Sequence, residues 1–218
     1  QLGFTALQGQ ANTLVENGKL IEAMPLLKEL VKRVEASDNS EIKLDFPIFL
    51  IGTGHIQQYI ASKQTNELSE ALRWYDRLEK EFPNSPKIKD MLFKRIDVLR
   101  ALSNNNEAID LMQKILSGGY RNVRLSQSEQ TKLLKDLTQI YYSTGQLSAG
   151  LPYFGQLFEI ARNAEDQALA AAASFEALFQ AERLDDALNL LPGLAKESAV
   201  RYRPRLNVAL LKASDKLV

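Results

Sequence analysis

The sequence contains few side chains of the kinds that carry out catalysis or bind metal ions. His55 is the only histidine among 218 residues, and cysteine is absent. Without cysteine the chain has no disulfides, thiolate metal sites or thiol nucleophiles. No acidic residue lies at metal-ligand spacing around His55, so we expect this histidine to be a packing or groove residue rather than a ligand or a general base. The sequence therefore predicts neither a metal ion nor a cofactor.

Two glycine-rich stretches have the composition of phosphate-binding loops without their spacing. The stretch "GTGH" at 52–55 and the stretch "SGGY" at 117–120 complete neither a dinucleotide motif nor a P-loop. We expect Gly54 to lie at a close helix–helix contact. We expect Gly118 and Gly119 to end a helix.

Asp185 and Asp186 form the most suggestive carboxylate pair. Adjacent side chains on a helix point about 100° apart, so these two do not converge on one substrate. Negative charge at the start of a helix is favourable, which gives the pair a structural role. With no nucleophile–base pair, metal cluster or phosphate loop in view, the sequence does not predict an enzyme.

The charge balance bears on the class of partner. Lysine and arginine together number 27, as do aspartate and glutamate, so the basic excess of a typical nucleic-acid-binding protein is missing. The stretch "VRYRPR" at 200–205 is the one local cluster of basic and aromatic residues. It is either a site for an acidic partner segment or the solvated surface of an end helix. No apolar run approaches the roughly 18 residues of a membrane span.

The elements that position these side chains are predicted to be helices. Apolar residues recur at spacings of three and four, and alternating strand patterns are rare. The stretch "WYDRLEKEFPNSPKIKD" at 74–90 predicts a tight corner between two helices. Pro83 and Pro86 prevent the first helix from continuing. Ser85 is a suitable N-cap, with Pro86 at the first helical position of the next helix.

Five segments share one layout at intervals of roughly 40 residues, which is typical of helical repeats. Each has a polar or glycine turn, a small residue, a large apolar residue four positions later and another three beyond. The small residues are Ala23, Ala71, Ala108, Gly150 and Ala187.

This layout resembles the tetratricopeptide repeat family. The resemblance implies an all-α, right-handed α-solenoid of about five helix–turn–helix repeats with a C-terminal closing helix, together forming a single domain over 1–218. The repeats are expected at approximately 2–37, 41–83, 86–118, 126–162 and 164–196, and the closing helix at 198–217. The turn glycine of the family corresponds to Gly18 and Gly145 and is replaced by Asn66, Ser103 and Glu182.

The resemblance also implies a function and a binding surface. We expect a non-catalytic protein–protein interaction scaffold that holds a peptide or a partner domain in a concave groove lined by the first helix of each repeat. The residues expected there are Asn12, Gln58, Tyr59, Asp97, Arg100, Gln139, Tyr142, Glu176 and Phe179. The alternative for Tyr142 and Phe179 is that they belong to the core between repeats.

Two other functions stay open at this point. One is a self-association or packing module of a larger cell-envelope protein, which makes a homo-oligomer possible; the other, less favoured, is an enzyme domain. The stretch "LEKEFPNSP" resembles corners of bacterial cell-envelope tetratricopeptide proteins. Together with the missing cysteine and a first residue other than methionine, it leads us to expect a bacterial extracytoplasmic, periplasmic protein. The alternative is a cytoplasmic location.

Overall fold

The computed structural model describes residues 3–37, 42–190 and, beyond them, 200, 202, 204, 207, 208 and 211. These residues form helices and connections and contain no strand, which confirms the all-α prediction. The helices are α1 (Phe4–Glu16), α2 (Leu20–Ser37), α3 (Asp45–Ser62), α4 (Asn66–Glu81), α5 (Ile88–Ala101), α6 (Asn105–Leu116), α7 (Gln127–Thr144), α8 (Leu147–Ile160), α9 (Ala164–Gln180) and α10 (Leu184–Leu188).

The helices follow one another in pairs separated by short turns, as in an α-solenoid, and they form two compact units. The first compact unit covers 1–111 and the second covers 112–218, with the division inside α6. In the first, each helix from α1 to α4 packs against the next; in the second, α9 packs against α7, α8 and α10. The bounds of the five repeats stay a prediction. The predicted closing helix lies largely outside the described residues.

Small residues allow the paired helices to approach each other closely. All five predicted small residues are buried, and the alanines among them are at most 1% exposed. The predicted position of Gly54 at a close helix–helix contact is confirmed, because a Cβ atom there would collide with Met24 of α2. A Cβ atom on Gly150 would collide with Phe154 and come within 2.8 Å of Tyr141 Cβ. Larger residues at these positions would push the helices apart.

The turns within the helix pairs need a residue in the left-handed backbone region. Gly18 and Gly145 adopt φ values of 74° and 73° there, while Ser103 and Glu182 adopt 56° and 59°. These four residues match the predicted turn positions. In the second repeat the prediction of Asn66 is wrong, since Asn66 begins α4 and Lys63 takes the left-handed conformation instead.

The corner at 82–87 differs in detail from the predicted one. The helix α5 begins at Ile88, two residues later than expected, so Pro86 lies in the preceding turn. Ser85 still accepts the N–H of Lys87 at 3.1 Å, and its own hydroxyl donates to Asp45 at 2.6 Å. The second bond ties the corner to the start of α3, which explains why Ser85 is buried rather than a solvated cap.

The alanine-rich stretch at 168–174 makes α9 the most enclosed helix of the second compact unit. Every residue of this stretch is buried. Alanines let neighbouring backbones approach on several sides while keeping high helix propensity. Among the described residues, no helix has the length and apolar character needed to cross a membrane.

Candidate functional site

A cleft of about 420 Å³ opens in the second compact unit, between the start of α7 and the connection from α8 to α9. Ile160 is the one apolar residue among those that line it. The lining residues are Gln127, Ser128, Thr131, Lys132, Lys135, Ile160, Arg162, Asn163 and Asp166.

The wall formed by α7 is fixed by a capping box. The Ser126 hydroxyl oxygen accepts the N–H of Glu129, and the Glu129 carboxylate accepts the N–H of Ser126 at 2.7 Å. This reciprocal pair satisfies two backbone donors that the first turn would otherwise leave without partners. The start of α7, and with it Gln127 and Ser128, is therefore held firmly at the cleft.

The opposite wall is fixed by Asn163, the N-cap of α9. Its side-chain oxygen accepts the N–H of Asp166 at 2.8 Å, and its amide donates to the Asp166 carboxylate at 2.7 Å. Asp166 is only 5% exposed, and its other oxygen lies 2.6 Å from the ammonium group of Lys135 on α7. This ion pair joins the two walls across the cleft.

Positive charge predominates among the lining side chains. Lys132, Lys135 and Arg162 carry three positive charges, and Asp166 carries the only negative charge among the lining residues. Lys132 lies 3.3 Å from the Asp136 carboxylate, and Arg162 donates a hydrogen bond to the Gln127 side chain. The Arg162–Gln127 hydrogen bond is exposed to solvent, whereas the Lys132–Asp136 ion pair is part-buried, because Asp136 is only 8% exposed. The cleft can thus present donors to an incoming carboxylate.

The same face of α7 carries two of the predicted partner-binding residues. Ser128, Thr131, Lys135, Gln139 and Tyr142 follow at spacings of three and four, which places them on one helix face. Gln139 is half-buried. The lysines of this face were not among the predicted residues, although the spacing of Gln139 and Tyr142 extends directly to Lys135.

Tyr142 and Glu176 meet across α7 and α9, but inside the fold. They are 8% and 7% exposed, and the Tyr142 hydroxyl donates a hydrogen bond to the Glu176 carboxylate. The ring of Tyr202 packs edge-on to Tyr142 at 6.2 Å between centroids. Phe179 is half-buried and stacks on Phe175 at 6.3 Å. Tyr142 thus takes part in the packing between α7 and α9, whereas Phe179 stacks on a residue of its own helix.

The predicted residues of the first compact unit lie on three helices. Asn12 on α1 lines a smaller cavity of about 290 Å³ together with Gln8 and Phe46. Gln58 and Tyr59 on α3 are half-buried, and the Lys63 ammonium lies 5.9 Å from the Tyr59 ring centroid.

The remaining two predicted residues occupy α5. Asp97 is exposed and Arg100 is half-buried. They are three positions apart and therefore neighbours on one face of the helix.

His55 has neighbours that its sequence context did not reveal. It is 5% exposed, as expected of a packing residue, but its Nδ1 atom lies 2.6 Å from the Glu67 carboxylate on α4. Its Nε2 atom lies 3.0 Å from the Lys28 ammonium on α2. Spacing along the chain gave no sign of this carboxylate, because the turn between α3 and α4 brings residues 12 positions apart together. Within the described part of the chain, no group of three or more His, Cys, Asp or Glu side chains could hold a metal ion.

Comparison with known proteins connects this fold to tetratricopeptide proteins. No family model and no curated protein matches the sequence. Solved structures do match. A tetratricopeptide repeat protein from Parabacteroides merdae ATCC 43184 superposes with a TM-score of 0.60 over 98% of this chain and 76% of that chain, at 16% identity.

Two further structures show the same likeness. The nearly identical TPR-like repeats from Podosopora anserina give a TM-score of 0.51 at 16% identity, covering 88% of this chain and 92% of that chain. MamA from Desulfovibrio magneticus RS-1 gives 0.53 at 12% identity, covering 88% and 93%. At such identities the likeness concerns the fold alone. The predicted resemblance to tetratricopeptide repeats is thereby confirmed for the fold.

Proposed function

We propose that this protein is a non-catalytic interaction scaffold that binds an extended peptide or a segment of a partner protein. The observation that carries the proposal is the open cleft in the second compact unit, which lies on the same face of α7 as Gln139. Clefts with a few well-placed polar groups are the usual form of a binding site. The fold supports this proposal by analogy with the tetratricopeptide family.

The chemistry of the cleft indicates the kind of partner segment that fits. Arg162 and Lys132 stand at its rim, and Asn163 and Gln127 add amide groups. Guanidinium and amide groups bind carboxylates and backbone carbonyls through directed hydrogen bonds. A partner segment with an acidic side chain next to polar residues would match this surface.

The first compact unit offers a second, separate candidate surface. Asn12 lies in its cavity, while Gln58, Tyr59, Asp97 and Arg100 stand on α3 and α5. Tyr59 and Arg100 are the types of residue that most often dominate binding energy at protein interfaces. We propose that these residues also contact the partner. The bacterial extracytoplasmic location remains a prediction from the sequence.

Selection from a library of linear peptides on the immobilised protein tests this function. We expect enrichment of peptides with acidic residues. Arg162→Glu should weaken their binding at least about tenfold, since it replaces attraction at the rim by repulsion. Arg73→Glu is the matched control, because Arg73 is exposed on α4 and lies outside the proposed surfaces.

Two outcomes would contradict the proposal. If no peptide is enriched, or if Arg162→Glu and Arg73→Glu weaken binding equally, the cleft is not the binding site. Sedimentation measurements on the free protein test the alternative of self-association. A dimer that dissociates in the Arg162→Glu variant would assign the cleft to contacts between copies of the chain.

A further inference from the structure

Three side chains from consecutive helices form a hydrogen-bonded chain in the first compact unit. Lys28 of α2 is exposed, whereas His55 of α3 and Glu67 of α4 are buried. The distances are 3.0 Å from Lys28 Nζ to His55 Nε2 and 2.6 Å from His55 Nδ1 to the Glu67 carboxylate. The proposed interaction function does not use this chain of groups.

The hydrogen-bonding capacities of the three groups fix the tautomer of the imidazole. A lysine ammonium can only donate, so Nε2 of His55 is the acceptor. The other ring nitrogen, Nδ1, then carries the proton and donates it to the Glu67 carboxylate. An imidazole oriented by a carboxylate, with its free nitrogen aimed at a proton-bearing nucleophile, is the arrangement that activates nucleophiles in acyl transfer.

We propose that Lys28 is a site of Nε-acylation, modified preferentially by activated acyl donors such as acyl thioesters. As the neutral Lys28 amine attacks, His55 accepts the proton that the amine nitrogen gives up, and the Glu67 carboxylate stabilises the imidazolium that forms. The neutral amine attacks the thioester carbonyl, so that a C–N bond forms and the C–S bond breaks. The amine nitrogen gives up two protons in total. One protonates the departing thiolate and the other passes to solvent, and no oxidant or reductant is needed.

The preference follows from the composition of the chain. His55 is the only histidine in the sequence, so no second lysine has an imidazole of its own to accept its proton. Lys32 is the natural comparison, because it is also exposed and lies four residues further along α2. Acylation would remove the positive charge of Lys28 and its hydrogen bond to His55, and with them one polar link between α2 and α3.

The test is a competition between two lysines of the same molecule. The folded protein is treated with S-acetyl-N-acetylcysteamine, a small acyl thioester, and acetylation of Lys28 and Lys32 is followed over time by peptide mass spectrometry. We expect Lys28 to react about tenfold faster than Lys32, which is less than the roughly 10²–10⁴-fold that a general base typically supplies in an enzyme. In urea the two rates should become equal.

Variants assign the effect to the proposed groups. His55→Gln should bring the ratio of the two rates close to one. Glu67→Gln keeps an oxygen that accepts the Nδ1 proton but removes the negative charge, so it serves as a second, more conservative variant and should also lower the ratio. Equal rates in the folded wild-type protein would overturn the proposal. So would a high ratio that survives either substitution in a folded variant, as judged by circular dichroism.

Discussion

The Tyr142 hydroxyl donates a hydrogen bond to the Glu176 carboxylate, and this bond joins α7 to α9 at two buried positions. Both residues were selected from the sequence as partner contacts. A buried carboxylate is costly unless it is hydrogen-bonded, so the bond has a structural purpose regardless of any partner.

Tyr142→Phe should therefore lower the free energy of unfolding by about 1.5–3 kcal/mol, the usual contribution of a hydrogen bond to a charged group. Urea denaturation followed by circular dichroism measures the change. Tyr153→Phe is the control, because Tyr153 is a half-buried tyrosine of α8 whose ring stacks on Tyr141. Equal, small effects of the two substitutions would return Tyr142 to the list of partner contacts.

Arg100 provides the complementary test in the first compact unit. Arg100→Ala should weaken binding of a selected peptide by about tenfold if α5 contacts the partner, while the denaturation midpoint stays nearly constant. Isothermal titration with the selected peptide gives the affinity. Unchanged affinity would remove Asp97 and Arg100 from the proposed surface and leave the cleft of the second compact unit as the binding site.

Ala108 tests the repeat pattern itself. Its side chain is fully buried in α6, so Ala108→Leu should overpack its surroundings and lower stability by about 1–3 kcal/mol. Ala101→Leu adds the same atoms at an exposed position at the end of α5 and should change stability little. If thermal denaturation gives the same midpoint for both variants, Ala108 is not the small contact residue of its repeat.

Lys63 holds a strained turn. A non-glycine residue in the left-handed region costs about 1–2 kcal/mol, and glycine's extra freedom in the unfolded chain offsets about 0.5–1 of this. We therefore expect Lys63→Gly to be more stable than Lys63→Ala by about 0.5–1 kcal/mol in chemical denaturation. Both variants lose the contact with the Tyr59 ring, so their difference isolates the backbone. Gly18→Ala makes the reverse exchange at a left-handed turn and should therefore lower the free energy of unfolding.

The buried hydroxyl group of Tyr75 should make the protein lose stability at high pH. Burial raises the pKa of its hydroxyl above the ordinary value of about 10, and the hydrogen bond with Thr53 only partly opposes this. The folded state then keeps a proton that the unfolded state has lost. The stability that the raised pKa of Tyr75 contributes is fully present below pH of about 10. Above that pH it falls by up to about 1.4 kcal/mol per pH unit.

Comparing wild type with Tyr75→Phe isolates this effect, because phenylalanine has no proton to lose. The unfolding free energy of the wild type, relative to that of Tyr75→Phe, should fall as the pH rises from about 9.5 to about 11. If the two proteins lose stability in parallel over this range, the Tyr75 hydroxyl does not account for the alkaline loss.

Residue spacing over short stretches of sequence predicted most of the fold. The side chains that meet at the candidate sites could not be predicted in this way, because they come from different helices. The spacing of Ala23, Ala71 and Ala108 specifies close helix pairs, because only a small residue fits there whatever its distant neighbours. The left-handed turn at Lys63 was not predicted, because the turn of the second repeat lies three residues before Asn66, the position that corresponds to the turn glycine of the other repeats. His55 and Glu67 meet only after α3 and α4 pack together. Spacing along one helix could not reveal them.

The alanine-rich helix α9 has a further consequence for how the second compact unit opens. Its residues are buried from Ala168 to Leu178, so the amide hydrogens of this stretch can exchange with solvent only when the packing around the whole helix is released. Exchange of the α9 amides should thus report the global opening of this unit, while the start of α7 at the cleft exchanges through smaller fluctuations. A ligand bound in the cleft would slow exchange at α7 first, and protection would reach α9 only through the stability of the unit as a whole.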